Sequence, residues 1–228
     1  NSKDSKDNKS KSFRRIVFDE LCANFLSLSE NRKRIRIRKT PKKFKKKYSE
    51  NIIRKLPFEL TNSQKKVLEE INFDLMNNKR MFRIIQGDVG SGKTIVSLIA
   101  ILNTIKSGYQ CALMSPTAIL AKQHFELSKK IFKDIDLKID FLTGKTDYKN
   151  RNEILLNISK GKTDILIGTH ALFQKKINFK KLGLVVIDEQ HKFGVKQRSD
   201  LAKKGGDECD VLLMSATPIP RTMMMSLY

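Results

Sequence analysis

Eight residues, Gly87-Asp88-Val89-Gly90-Ser91-Gly92-Lys93-Thr94, match G-x-x-x-x-G-K-[ST] without a mismatch, and they constrain the chain on both sides. Such a loop curls backbone N–H groups around an anion at the start of a helix, where the helix dipole also favours negative charge. It therefore needs a strand to arrive on and a helix to leave by. Met81-Phe82-Arg83-Ile84-Ile85-Gln86 reads as a short buried strand, and Thr94 to Ile105 reads as an apolar helix. A Gly-rich turn before a helix would look similar, but strand, loop and helix in register favour phosphate binding. Lys93 is then placed to offset charge on the outer phosphates of a nucleoside triphosphate.

The rest of the chain follows the same alternation. Thr61 is a candidate N-cap for a helix marked by Val67, Leu68, Ile71 and Leu75. Strands are expected at 81–86, 110–114, 139–142, 164–167, 183–187 and 211–214. Most are short apolar runs, which suits an α/β fold with a parallel sheet covered by helices on both faces. Upstream, residues 1–12 are polar and charged and are expected to be a disordered tail. Phe13, Ile16, Val17, Leu21, Phe25 and Leu28 recur at mostly helical intervals. A helical basic linker over 13–57 follows, with Pro41 a stop and Lys55-Leu56-Pro57-Phe58 a connector, ahead of the nucleotide-binding domain at 58–228.

The net charge of the 228 residues is +22, which suits a polyanionic partner, nucleic acid first. From Asn31 to Lys47, eleven of seventeen residues are Lys or Arg and none is acidic, so this run carries half of that charge. It reads equally as a solvated surface or as a contact with a phosphate backbone. Cys22, Cys111 and Cys209 are far apart and form no C-x-x-C pair, which argues for a reducing, cytoplasmic setting and against a zinc site. No apolar stretch is long enough for a membrane helix, and no membrane partner is expected.

A phosphate loop needs a metal partner. Leu184-Val185-Val186-Ile187 is an apolar strand ending in Asp188-Glu189-Gln190-His191. Strand carboxyl ends are where ligands sit in such sheets. Asp188 with Thr94 is the candidate Mg²⁺ pair, and Glu189 the candidate base for the attacking water. Such acids also serve as helix caps, but their place downstream of the loop favours the metal reading. Gln64 has an amide suited to an adenine edge, or is a plain first-turn residue. Phe58 would stack on the base or join the core. His191 would couple nucleotide state to a neighbouring motif, or simply pack.

Taken with Phe58-Glu59-Leu60-Thr61-Asn62-Ser63-Gln64, Ser115-Pro116-Thr117 with Leu120-Ala121-Lys122-Gln123-His124, Ile167-Gly168-Thr169-His170, Asp188-Glu189-Gln190-His191 and Met214-Ser215-Ala216-Thr217-Pro218, the chain resembles superfamily 2 helicases and translocases. Within these it resembles the RecG family of bacterial ATP-dependent DNA helicases. The resemblance implies a RecA-like domain using ATP and Mg²⁺, acting on branched DNA in recombination and repair, with single-strand-binding protein as a further partner. It implies DNA contacts at Ser115, Pro116 and Thr117, and at Gly168, Thr169 and His170; Thr143, Gly144 and Lys145 end a third strand and are candidates for the same role. It implies coupling through His191, Gln197, Arg198, Ser215, Ala216 and Thr217. Ala118 and Lys192 depart from the Glu and Arg usual there. The family's wedge domain would precede Phe13 and its second RecA-like domain would follow Tyr228. The expectation is therefore half of a motor; a different P-loop NTPase, or a nucleotide- and DNA-binding remnant of a split gene, is the alternative.

Overall fold

The computed structural model describes Arg15, residues 37–189 and residues 204–216. Contacts gather Arg38–Pro218 into one compact unit; the chain ends, Asn1–Ile37 and Ile219–Tyr228, form another. The first unit begins with an extended stretch and a short helix α1 (Lys47–Lys55). It continues as α2 (Asn62–Met76), β1 (Phe82–Gln86), α3 (Lys93–Ile105), β2 (Gln110–Met114), α4 (Ala118–Ile131), β3 (Ile139–Leu142), α5 (Tyr148–Lys160), β4 (Ile165–Gly168), β5 (Leu182–Ile187) and β6 (Asp210–Ser215). A 3₁₀ turn, His170–Phe173, follows β4, and another, Gly206–Glu208, precedes β6.

All six strands are parallel, in the order β1-β6-β5-β2-β4-β3. Both faces are covered. On β5, Leu184 and Val186 join one core with Leu68, Ile71 and Leu75 of α2 and most of α3. Val185 and Ile187 join the other with Ile158 of α5, Leu172 and Ile177. This is the period-2 alternation of a strand, hidden in the sequence because both faces are apolar. Helix α3 is buried from Ile95 to Ile105, which explains its lack of a polar stripe. The order brings the carboxyl ends of β1, β6 and β5 side by side, and those of β2, β4 and β3 next to them.

The basic stretch departs from its expected form. Residues 37–46 are not helical, and 38–46 belong to the same unit as the sheet, so contacts do not divide the chain at 57/58. The physical reason is Asp210, at the start of β6. Its Oδ2 accepts from Lys39 Nζ at 2.5 Å and Lys42 Nζ at 2.6 Å, with all three side chains fully buried. Lys39 Nζ also donates to the Asp74 and Leu75 carbonyls near the end of α2, a site that favours cations. Burial, partly offset by Asp210, pushes the Lys39 pKa down. Thr40 binds Glu208 through its N–H and hydroxyl. Extended backbone lets Lys39 and Lys42 reach one carboxylate, and Pro41 between them disfavours a helix. Arg38, Lys43, Lys45, Lys46 and Lys47 stay exposed. The expected tail 1–12 and the helix at 13–28 lie outside the described residues, apart from Arg15.

Cys111 and Cys209 are free and buried, and burial pushes their thiol pKa values up, that of Cys209 to about 12. Among the described residues no His, Cys, Asp or Glu cluster could hold a metal by itself, and no helix is long and apolar enough to cross a membrane.

Candidate nucleotide-binding site

The phosphate loop leaves β1 at Gln86 and enters α3 at Lys93. Gly92 is the N-cap, with φ 82°. That left-handed conformation favours glycine, and a Cβ there would sit 2.3 Å from Gln64 Nε2. Among the described residues no protein acceptor takes the N–H groups of Gly90, Gly92, Lys93 or Thr94. Consecutive free donors at a helix start form an anion-binding concavity. Lys93 Nζ lies over the loop, donating to the Gly87 carbonyl at 2.6 Å and the Asp88 carbonyl at 2.8 Å. Both are neutral acceptors that phosphate oxygens can replace. Val89 is 90 % exposed at the loop's tip.

Gln64 has a structural task that the sequence reading did not foresee. Its Oε1 accepts from Thr61 N and its backbone N–H donates to Thr61 Oγ1, a capping box that starts α2. Its Nε2 donates to Ser91 O at 2.8 Å, fastening α2 to the loop. The amide keeps a second N–H and a second lone pair for a base edge. Phe58 is 47 % exposed, so it is not a core residue and its ring is open to stacking.

Asp188 follows β5 and is buried to 8 % exposure. Two strand spacings, about 10 Å, separate β5 from β1. Its Oδ1 accepts from Glu189 N at 3.0 Å, and its Oδ2 meets His124 Nε2 at 2.8 Å. Glu189 has φ 48°, the one positive φ outside glycine among the described residues. Such strain costs on the order of 1–3 kcal/mol and concentrates at working sites. Asp188 and Thr94 are hard oxygen donors, the chemistry Mg²⁺ takes. Between the two strand ends lies that of β6, where Ser215 O accepts from Gly87 N at 3.3 Å. The loop is thereby bonded directly to the Ser215-Ala216-Thr217 segment, described as far as Ala216. His191, Gln197, Arg198 and Thr217 lie outside the described residues.

The nucleic-acid candidates divide. Thr117, Gly144, Lys145 and His170 are exposed at the carboxyl ends of β2, β3 and β4, and Pro116 is half-buried. Ser115, Thr143 and Thr169 are buried. Their side chains are therefore closed off from solvent in this domain. Among the described residues Ser115 Oγ has no hydrogen-bond partner, whereas Thr143 Oγ1 accepts from Lys145 N. Gly168 is a packing glycine: a Cβ would lie 2.0 Å from Leu142 O. Thr117 caps α4 by accepting from Leu120 N.

The model of the DEAD/DEAH box helicase family matches residues 61–225. The chain belongs to the DEAD/DEAH box helicase family. Among curated helicases it is 45% identical to the ATP-dependent DNA helicase RecG of Thermotoga maritima over 94% of this chain and 27% of that protein. It is 46% identical to RecG of Bacillus subtilis over 94% of this chain and 32% of that protein. This helicase chain thus spans about a third or less of the curated relatives it matches. A solved structure of RecG bound to a three-way DNA junction superposes with TM-score 0.81 at 40% identity, covering 94% of this chain and 29% of that one. The UvsW helicase of bacteriophage T4, at TM-score 0.58 and 16% identity, covers 82% of this chain and 67% of its own and shares the fold. The motifs of this helicase domain thus sit on the RecA-like sheet that the sequence led one to expect.

Proposed function

We propose that this chain is the first, ATP-binding half of the motor of an ATP-dependent DNA helicase, the activity its RecG relatives are named for, and that the whole protein remodels branched DNA. What carries the reading is convergence at one sheet end. The phosphate loop, Ser215 and the Asp188–Glu189 pair occupy three adjacent strand ends, and exposed Thr117, Lys145 and His170 occupy the next three.

The N–H groups from Gly90 to Thr94 hold the phosphates, and Lys93 leaves the loop carbonyls for the outer phosphate oxygens. Thr94 and Asp188 would hold Mg²⁺, which would supply charge neutralisation at the phosphates. Glu189 orients the attacking water and accepts its proton. Gln64 and Phe58 bear on the adenine. Ser215, bonded to Gly87, passes changes at the loop into the segment through Thr217, with His191, Gln197 and Arg198 in the same coupling role. Thr117, Gly144, Lys145 and His170 hold the DNA backbone, with main-chain contributions near Ser115, Pro116, Thr143, Gly168 and Thr169. Completing the site takes a second RecA-like domain with a transition-state arginine, worth ~10³–10⁵ in rate in related motors. The reading also implies a cytoplasmic setting and single-strand-binding protein as an accessory partner.

The test compares fork-structured DNA unwinding by the complete protein and by these 228 residues alone. Unwinding by the complete protein and little by the 228 residues supports the reading. Robust unwinding by the 228 residues alone refutes the two-half motor.

A further inference from the structure

The segment between β2 and α4 is bracketed by two bonds to a single residue. At its start, Asp188 N donates to Met114 O at 2.8 Å. Ten residues on, His124 Nε2 meets Asp188 Oδ2, also at 2.8 Å. Between them lie Ser115-Pro116-Thr117 and the first two turns of α4. An ionised carboxylate has no proton to give, so His124 carries the hydrogen on Nε2 and donates it. The ring is held firmly: His124 is 7 % exposed, Ala121 three residues before it is fully buried, and Ser128 Oγ donates to the His124 carbonyl at 2.6 Å. Thr117 and His124 are seven residues apart, about two turns or ~10 Å, and lie nearly on one helix face. Thr117 is exposed and caps the helix.

We propose that His124 is a positioning residue that ties DNA occupancy at the Thr117 end of α4 to the orientation of the metal-binding carboxylate of Asp188. This rests on the reading of Asp188 as an Mg²⁺ ligand and of the β2 end as a DNA contact. With Oδ2 held by His124 and Oδ1 by Glu189 N, the carboxylate plane is set before any metal arrives. Outer-shell partners of this kind change metal affinity by about 10–100-fold when removed. A phosphate bound at Thr117 bears on the start of a stiff helix whose second turn holds Asp188. The link is reciprocal, so nucleotide at Asp188 also biases the DNA-contacting end.

The experiment compares wild type, His124→Ala and His124→Gln in the complete protein; the Gln side chain offers an N–H donor at a similar reach. Three quantities are read: Mn²⁺ affinity with the non-hydrolysable analogue AMP-PNP by electron paramagnetic resonance, the factor by which a three-way DNA junction stimulates ATP hydrolysis, and the melting temperature. His124→Ala should weaken Mn²⁺ binding about 10-fold or more and lower the stimulation factor, and His124→Gln should recover most of both. Unchanged Mn²⁺ affinity in His124→Ala overturns the positioning role. Equal losses in both variants with a lowered melting temperature overturn it too, since packing then suffices. Weaker Mn²⁺ binding with unchanged stimulation overturns the link to DNA. A wild-type protein whose hydrolysis ignores DNA refutes the proposed function and that link, while the Mn²⁺ comparison still decides whether His124 positions Asp188.

Discussion

Changing Asp210 to Asn would remove one negative charge and almost no volume. The Asn carbonyl can still accept from Met81 N, which Asp210 Oδ1 does at 2.6 Å. What disappears is the anion that Lys39 and Lys42 share, at a place where all three side chains have no exposure. Breaking a buried ion pair costs about 3–5 kcal/mol because an uncompensated charge stays behind. Losing the proton from one lysine caps the cost, since neutralising an ordinary Lys at pH 7 takes about 4.6 kcal/mol (1.36 kcal/mol for each of ~3.4 pH units). A loss of about 4 kcal/mol corresponds to roughly 8–16 °C in a unit of this size. Lys39→Met is the control. It removes the surplus cation, leaves Asp210 and Lys42 paired one to one, and should cost about 1 kcal/mol or less. Thermal unfolding of the three proteins, followed by circular dichroism at pH 7, measures both. An Asp210→Asn melt within about 2 °C of wild type, or a Lys39→Met loss as large as that of Asp210→Asn, would refute the ion-triad argument.

Neutralising the exposed Arg38, Lys43, Lys45, Lys46 and Lys47 should weaken DNA binding by the complete protein and flatten its dependence on salt, each lost phosphate contact lowering the slope by about 0.9; an unchanged slope assigns the run to solvated surface. Glu208 carries a pH dependence. Burial disfavours its charge, but the Thr40 N–H and hydroxyl, the Tyr109 hydroxyl and the Lys42 charge together hold its pKa below the ordinary 4.5. Its folded value is the lower one, so the stabilisation is complete above pH 4.5 and is lost as pH falls through the folded value. The melting advantage of wild type over Glu208→Gln should therefore be present at pH 6 and vanish on acidification. An advantage that persists at the lowest pH would contradict this.

The strands were legible because each is a short apolar run between turn residues. The expected 110–114 and 139–142 agree with β2 and β3 to the residue, and the other four differ by one residue at one or both ends. Strand order was not legible, since it depends on pairings between residues as far apart in sequence as Phe82 and Val211. The phosphate loop, Asp188 and Glu189 were legible as candidates because their motifs name the chemistry. Lys39 and Lys42 were misjudged for the opposite reason: in a run of eleven basic residues nothing local marks two for burial, and Asp210 is 168 or more residues away. The buried hydroxyls of Ser115, Thr143 and Thr169 had no signal either, because strand-end threonines and serines look alike whichever way they point. His124 carried a faint one. It lies seven residues after Thr117, on the same helix face, but only the fold brings that face to Asp188.

In the proposed function, the phosphate loop and the Asp188–Glu189 pair form one wall of an ATP site driven by DNA. ATP hydrolysis by the complete protein, measured with and without a three-way DNA junction, tests it most directly when wild type and Lys93→Ala are run together. Junction-stimulated hydrolysis is expected in wild type and its loss in Lys93→Ala, with the variant's melting temperature close to that of wild type. Equal turnover in the two proteins would contradict it.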